Sequence, residues 1–124
     1  MKTEASTGII LFAHGSRDPN WRLPFEAIMT HLRKQDTRPA VLAYLEFMQP
    51  SLSEAVDEMI ASGIHEIRVV PVFLAVGSHV RKDLPVLLDE ARARHPALSI
   101  SATAAIGEQD EIQQAIAAFA LRLI

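Results

Sequence analysis

Apolar runs and helical stripes alternate four times along the chain. Gly8 to Ala13 is a continuous apolar run, which predicts a strand covered on both faces. Phe25, Ile28, Met29 and Leu32 then recur at helical spacing, with Pro24 expected in the first turn, where a missing N–H costs little. A second strand is predicted over Ala40 to Leu45. The helix after it is marked at both ends: Ser51 and Glu54 have capping-box spacing, and Gly63 suits a left-handed exit. Between them Leu52, Ala55, Val56, Met59 and Ile60 form the inward stripe.

The third strand is predicted from Glu66 towards Leu74, rich in β-branched residues. Pro71 within it implies a bulge or the end of regular pairing. Asp83 is read as the cap of the third helix, with Pro85 in its first turn and Leu84, Leu87, Leu88 and Ala91 facing inward. His95-Pro96 ends that helix. The fourth strand, Leu98 to Ala104, alternates apolar residues with Ser and Thr, as an edge strand does. A last helix, Glu108 to about Leu123, places Ile112, Ala115, Ile116 and Phe119 on one stripe. The pattern predicts an α/β fold: a doubly wound, four-stranded parallel sheet of order 2-1-3-4 with helices on both faces, one domain over residues 1–124.

Composition narrows the chemistry. The chain has no cysteine, which removes disulfides, thiolate ligands and cysteine nucleophiles together and fits a reducing compartment. A formal charge of −3 argues against a nucleic-acid partner, which calls for a basic surface. The polar N-terminus, Met1 to Thr7, lacks the apolar run of a secretory signal, and no stretch approaches the ~20 apolar residues of a membrane span. A soluble, cytoplasmic protein with no membrane partner is the expectation.

In such a sheet ligands bind beyond the carboxyl ends of the strands, at the switch point between strands one and three. Strand one ends in His14-Gly15-Ser16-Arg17-Asp18, strand two in Glu46, and strand three leads into Gly77-Ser78-His79. Each group alone has an ordinary explanation: a hydrogen-bonded structural histidine, a solvated carboxylate, a glycine serving a turn. Their joint placement on one sheet edge makes them candidates. His31, His65 and His95 are read as structural or solvent-facing. A nucleotide or phosphate enzyme is argued against, since neither G-x-x-x-x-G-K-[ST] nor G-x-G-x-x-G occurs and one glycine follows strand one where such loops need several. A phosphohistidine-type phosphatase would want Arg directly before His14-Gly15, where Ala13 stands.

Ala13-His14-Gly15-Ser16-Arg17-Asp18-Pro19, Leu45-Glu46-Phe47 before Pro50-Ser51-Leu52, and Val70-Pro71-Val72-Phe73-Leu74 with Gly77-Ser78-His79-Val80 and Asp83-Leu84-Pro85 together resemble the small-type sirohydrochlorin cobaltochelatases. The resemblance implies a class II chelatase that inserts Co²⁺ or Fe²⁺, or in some members Ni²⁺, into sirohydrochlorin without ATP. The metal is then a substrate, and no permanently bound cofactor is expected. It implies that His14 and His79 bind metal and act in catalysis, with Glu46 assisting. The histidine-rich tract of some relatives is absent here, and Pro24 departs from the expected pattern.

The residues suit this chemistry on their own terms. Neutral imidazoles bind borderline metals without trapping them and accept pyrrole protons, and a carboxylate orients them. Arg17, Arg81 and Lys82, with the hydroxyls of Ser16 and Ser78, are candidates for the substrate's carboxylates. A non-catalytic metal or tetrapyrrole carrier on the same fold is the rival reading. One sheet edge offers a broad, flat ligand a floor and no roof. A homodimer with its twofold axis near the cleft is therefore expected.

Overall fold

The computed structural model describes residues 7–124, so the reading of the N-terminal segment concerns residues that lie almost wholly outside the described ones. Four strands, β1 (Thr7–Ala13), β2 (Ala40–Tyr44), β3 (Glu66–Pro71) and β4 (Ser99–Ala102), form one parallel sheet of order β2-β1-β3-β4. The helices are α1 (Leu23–Gln35), α2 (Leu52–Ala61), α3 (Ser78–Arg94) and α4 (Asp110–Leu121). The doubly wound architecture read from the pattern is the one observed.

The main core lies under α2 and α3. Ile10 and Phe12 of β1, Ile67 and Val69 of β3, and Val56 of α2 meet there, all 1% exposed or less. Side chains alternate along a strand, so Leu11 points to the opposite face. It meets Met29 of α1 and Ala40 there, in a much smaller cluster.

The signals around α2 hold in detail. Ser51 Oγ accepts from the Glu54 N–H at 3.2 Å, the Ser51 N–H donates to Glu54 Oε1 at 2.8 Å, and Gly63 has φ +88°. Pro24 sits in the first turn of α1, behind a single 3-10 turn over Pro19–Arg22. Regular pairing of β3 ends at Pro71. Val72 still donates to Phe12 O on the β1 side, so by alternation Pro71 faces β4, whose register ends at Val69↔Ala102. The missing donor therefore falls on the β4 side, where regular pairing stops.

The start of the third helix is corrected. α3 begins at Ser78 with Gly77 as its cap, so Asp83 is an interior residue and Pro85 lies inside the helix. Pro85 has no N–H for the Arg81 carbonyl, a local cost of roughly 3 kcal/mol. Packing outweighs it: Val80, a turn before the predicted cap, is buried with Leu88 and Ala91 in the main core, and Leu84 packs against them. The fourth strand and last helix are shorter than read, and that helix does not pack as expected. No residue of α4 is buried. Among the described residues no helix is long and apolar enough to cross a membrane.

Candidate active site

Strand pairing brings the first two candidates together. Ala13 is in register with Tyr44, and Leu45 donates to Ala13 O at 2.8 Å, so His14 and Glu46 leave the sheet side by side. His14 Nδ1 lies 3.1 Å from Glu46 Oε1, and the Gly15 N–H donates to Glu46 Oε2, also at 3.1 Å. Gly15 is needed for the approach, since a Cβ there would stand 1.7 Å from Glu46 O. The chain then reverses tightly, with Met48 donating to Glu46 O and Phe47 at φ +66°. A left-handed phenylalanine is rare and strained, and here it sits beside the candidate carboxylate.

His14 is held through both its ring and its backbone. The buried Phe73 ring lies 4.7 Å from it between centroids, and Trp21 Nε1 donates to His14 O at 2.7 Å. An ionised carboxylate only accepts, so Glu46 selects the tautomer with hydrogen on Nδ1. The Nε2 lone pair is then available, and among the described residues it has no protein partner. The His14 and Glu46 side chains remain 47% and 36% exposed. The pair is thus oriented and reachable from solvent.

His79 is the second residue of α3, exposed, and makes no hydrogen bond or ion pair among the described residues. The structure thus joins His14 to Glu46 but does not bring His79 into contact with them. No three His, Cys, Asp or Glu side chains among the described residues converge tightly enough to hold a metal ion, so a bound metal would need donors from elsewhere as well. Ser16 Oγ accepts from the Asp18 N–H at 3.0 Å, and the Arg17 guanidinium lies over the Phe47 ring at 4.9 Å. Ser78 is the first residue of α3 and Lys82 is exposed on it, one turn beyond His79. Arg81 folds back to Val76 O at 3.3 Å and lines a groove of about 420 Å³ between α3 and the end of β4.

The residue-by-residue reading did not assign roles to Trp21, Phe47, Phe73 and Leu74. Phe47 and Leu74 are 63% and 70% exposed, large apolar groups beside the His14 loop and at the end of β3. Gly107, pressed against the Leu74 carbonyl, fixes the latter's backbone: a Cβ at Gly107 would lie 1.8 Å from Leu74 O. Exposed aromatics next to a histidine loop were the available signal. The other histidines lie apart from this site. His95 Nε2 is 2.7 Å from Asp57 Oδ1, and this hydrogen bond, with that from Arg94, holds the Asp57 carboxyl below the usual carboxylate range. His31 and His65 are exposed. Burial raises the Tyr44 phenol above its ordinary value.

A 2-1-3-4 parallel sheet with an oriented imidazole–carboxylate pair at its switch-point edge defines a doubly wound α/β protein whose candidate site lies beyond the carboxyl ends of β1 and β2. The chain belongs to the CbiX family, whose model matches residues 8–121. It is 36% identical over 102 residues to a sirohydrochlorin cobaltochelatase of Saccharolobus solfataricus, covering 79% of each chain. A sirohydrochlorin cobaltochelatase of Methanothermobacter thermautotrophicus is 36% identical over 81 residues, 65% of this chain and 57% of that one. Among solved structures, a CbiX protein from Marinobacter aquaeolei superposes with TM-score 0.84 at 34% identity, covering 94% of this chain and 95% of that one. The chelatase SirB from Bacillus subtilis subspecies spizizenii, in complex with cobalt, gives TM-score 0.77 at 25% identity over 90% of this chain. The chain spans 48% of the length of that chelatase.

Proposed function

We propose that this chain is a sirohydrochlorin chelatase, inserting Co²⁺ or Fe²⁺, and in principle Ni²⁺, into the tetrapyrrole without ATP. The observation that carries the reading is the His14–Glu46 pair, with the carboxylate on Nδ1 and Nε2 open at the switch-point edge. Insertion replaces two pyrrole N–H protons by one divalent metal, so the site must shed metal-bound water and remove two protons. His14 Nε2 accepts a proton or binds the metal, and Glu46 stabilises the imidazolium that forms. His79 acts as the second metal-binding and catalytic histidine. Ser16, Arg17, Ser78, Arg81 and Lys82 receive the substrate's carboxylates. The exposed faces of Phe47 and Leu74 suit a flat macrocycle.

In this reading the protein works in the cytoplasm as one chelatase-like domain over residues 1–124, with no permanently bound cofactor and with neither nucleic acid nor membrane as partner. The homodimer supplies the second wall of the cleft. Mixing inactive His14→Ala chains with inactive His79→Ala chains is expected to restore activity above either alone, because one cleft then contains an intact copy of each histidine. Unchanged inactivity in chains shown to exchange subunits would end the shared-cleft idea.

The deciding experiment adds purified protein at low concentration to excess sirohydrochlorin and Co²⁺ and follows the absorption spectrum. A chelatase converts many equivalents per chain, whereas a carrier stops at one. Glu46→Gln is expected to lower turnover about 10- to 100-fold while changing metal affinity less, since the amide cannot stabilise an imidazolium as the carboxylate does. Lost metal binding with an unchanged single-turnover rate would reverse these roles.

A further inference from the structure

The loop that carries His14 off β1 contains no buried residue. His14 and residues 17–20 are exposed, and Gly15 and Ser16 are only half-buried. Such a loop is held by its hydrogen bonds and not by a core. Two of them are local: the Asp18 N–H donates to Ser16 Oγ at 3.0 Å and the Asn20 N–H to Asp18 Oδ1 at 2.9 Å. Neither reaches His14. Trp21 does. Its backbone N–H donates to Asp18 O at 3.0 Å and its indole Nε1 to His14 O at 2.7 Å, which closes the loop on itself.

That carbonyl belongs to the same peptide plane as the Gly15 N–H, which donates to Glu46 Oε2. One plane is thus held at both ends, by an indole at its oxygen and a carboxylate at its nitrogen. The second end matters because Gly15 turns freely about its φ, so a flip of this peptide would otherwise cost little. A flip would withdraw the N–H from the same carboxylate that orients the His14 ring. Trp21 is itself anchored. Its ring lies 5.9 Å from that of Phe25 in the first turn of α1, and Phe25 meets Tyr44 edge-on at 6.2 Å. Tyr44 is buried and ends β2 opposite Ala13. The circuit starts at the paired strand ends and returns to the His14 carbonyl. Trp21 is 41% exposed, so core burial does not account for it.

From this arrangement we infer that Trp21 is a positioning residue for His14: its indole N–H locks the His14–Gly15 peptide, and the locked peptide keeps Glu46 on the imidazole. The effect on the imidazole stands on the geometry alone. The effect on metallation rate rests on the chelatase reading above.

Trp21 is the only tryptophan of the chain, so an analogue supplied during expression changes this side chain alone. Benzothienylalanine keeps the bicyclic shape with sulfur in place of the N–H, and 5-fluorotryptophan keeps the N–H. The first measurement is the His14 tautomer by ¹⁵N NMR at about pH 8.5, above the ordinary imidazole range, with the signal assigned by its loss in His14→Ala. Hydrogen on Nδ1 is expected in the native and fluorinated proteins, and a mixture of both tautomers in the benzothienyl protein. The second is metallation of sirohydrochlorin with Co²⁺. The benzothienyl protein should lose about five- to tenfold in kcat, the scale of one hydrogen bond, with no comparable change in KM, and 5-fluorotryptophan should restore the rate. An unchanged tautomer in the benzothienyl protein would overturn the inference. A raised KM beside it would make Trp21 a substrate contact, and a lowered melting temperature alone would make it a structural one. A mixed tautomer with an unchanged rate would leave the positioning role standing and remove His14 from the chemistry, so the two readings fail separately.

Discussion

His14→Ala is expected to lower the initial rate of metal insertion at least about 100-fold, the usual scale for loss of a positioned acid–base group. His79→Ala is expected to have a comparable effect on rate. The fold should survive both changes, because both side chains are exposed and neither belongs to the core. The two variants test different things. His14 is held by Glu46 at 3.1 Å and by the Phe73 ring, so its loss also frees Glu46 from its imidazole partner. His79 has no partner among the described residues, so its loss reports on metal or substrate alone. Steady-state rates with Co²⁺, together with circular dichroism, separate the cases. Near-normal rates in either variant would remove that histidine from the mechanism.

Gly15→Ala is expected to damage the site and the fold together. The added methyl would stand 1.7 Å from a backbone oxygen, that of Glu46, and backbone cannot swing aside as a side chain does. The loop must move, and with it go the Gly15 N–H bond to Glu46 Oε2 and the alignment of His14. A stability loss of about 2–3 kcal/mol and a rate loss approaching that of His14→Ala are expected. Chemical denaturation and the metallation assay measure the two. A variant with wild-type stability would show that the His14 and Glu46 loops part easily, and the close approach would then not be what positions the pair.

Gly15 also shows where reading residues along the chain stops. Its sequence neighbourhood suggests a turn glycine, yet the reason for glycine there is the carbonyl of a residue 31 positions away. The same holds for Pro85, whose local meaning is a helix start and whose actual place is inside α3. Val80 has a reason to be helical only once the sheet it packs on exists.

What the sequence determined by itself is the set of quantities with a short range. Apolar periodicity separated strands from helices, because burial repeats every two residues in one and every 3.6 in the other. The capping box at Ser51 and the exit at Gly63 were legible because their partners lie within three residues or in one dihedral angle. Strand order followed from alternation and crossover handedness, and with it the edge on which His14, Glu46 and His79 must all emerge. Tertiary structure alone decided which of those three meet. It paired His14 with Glu46 through the register of β1 on β2 and left His79 on the next helix without a contact to either. It also turned α4 away from its own sheet, although its apolar stripe is as clear as any other. A stripe states that a helix must be buried, but the surface that buries it is a long-range property which local spacing does not encode.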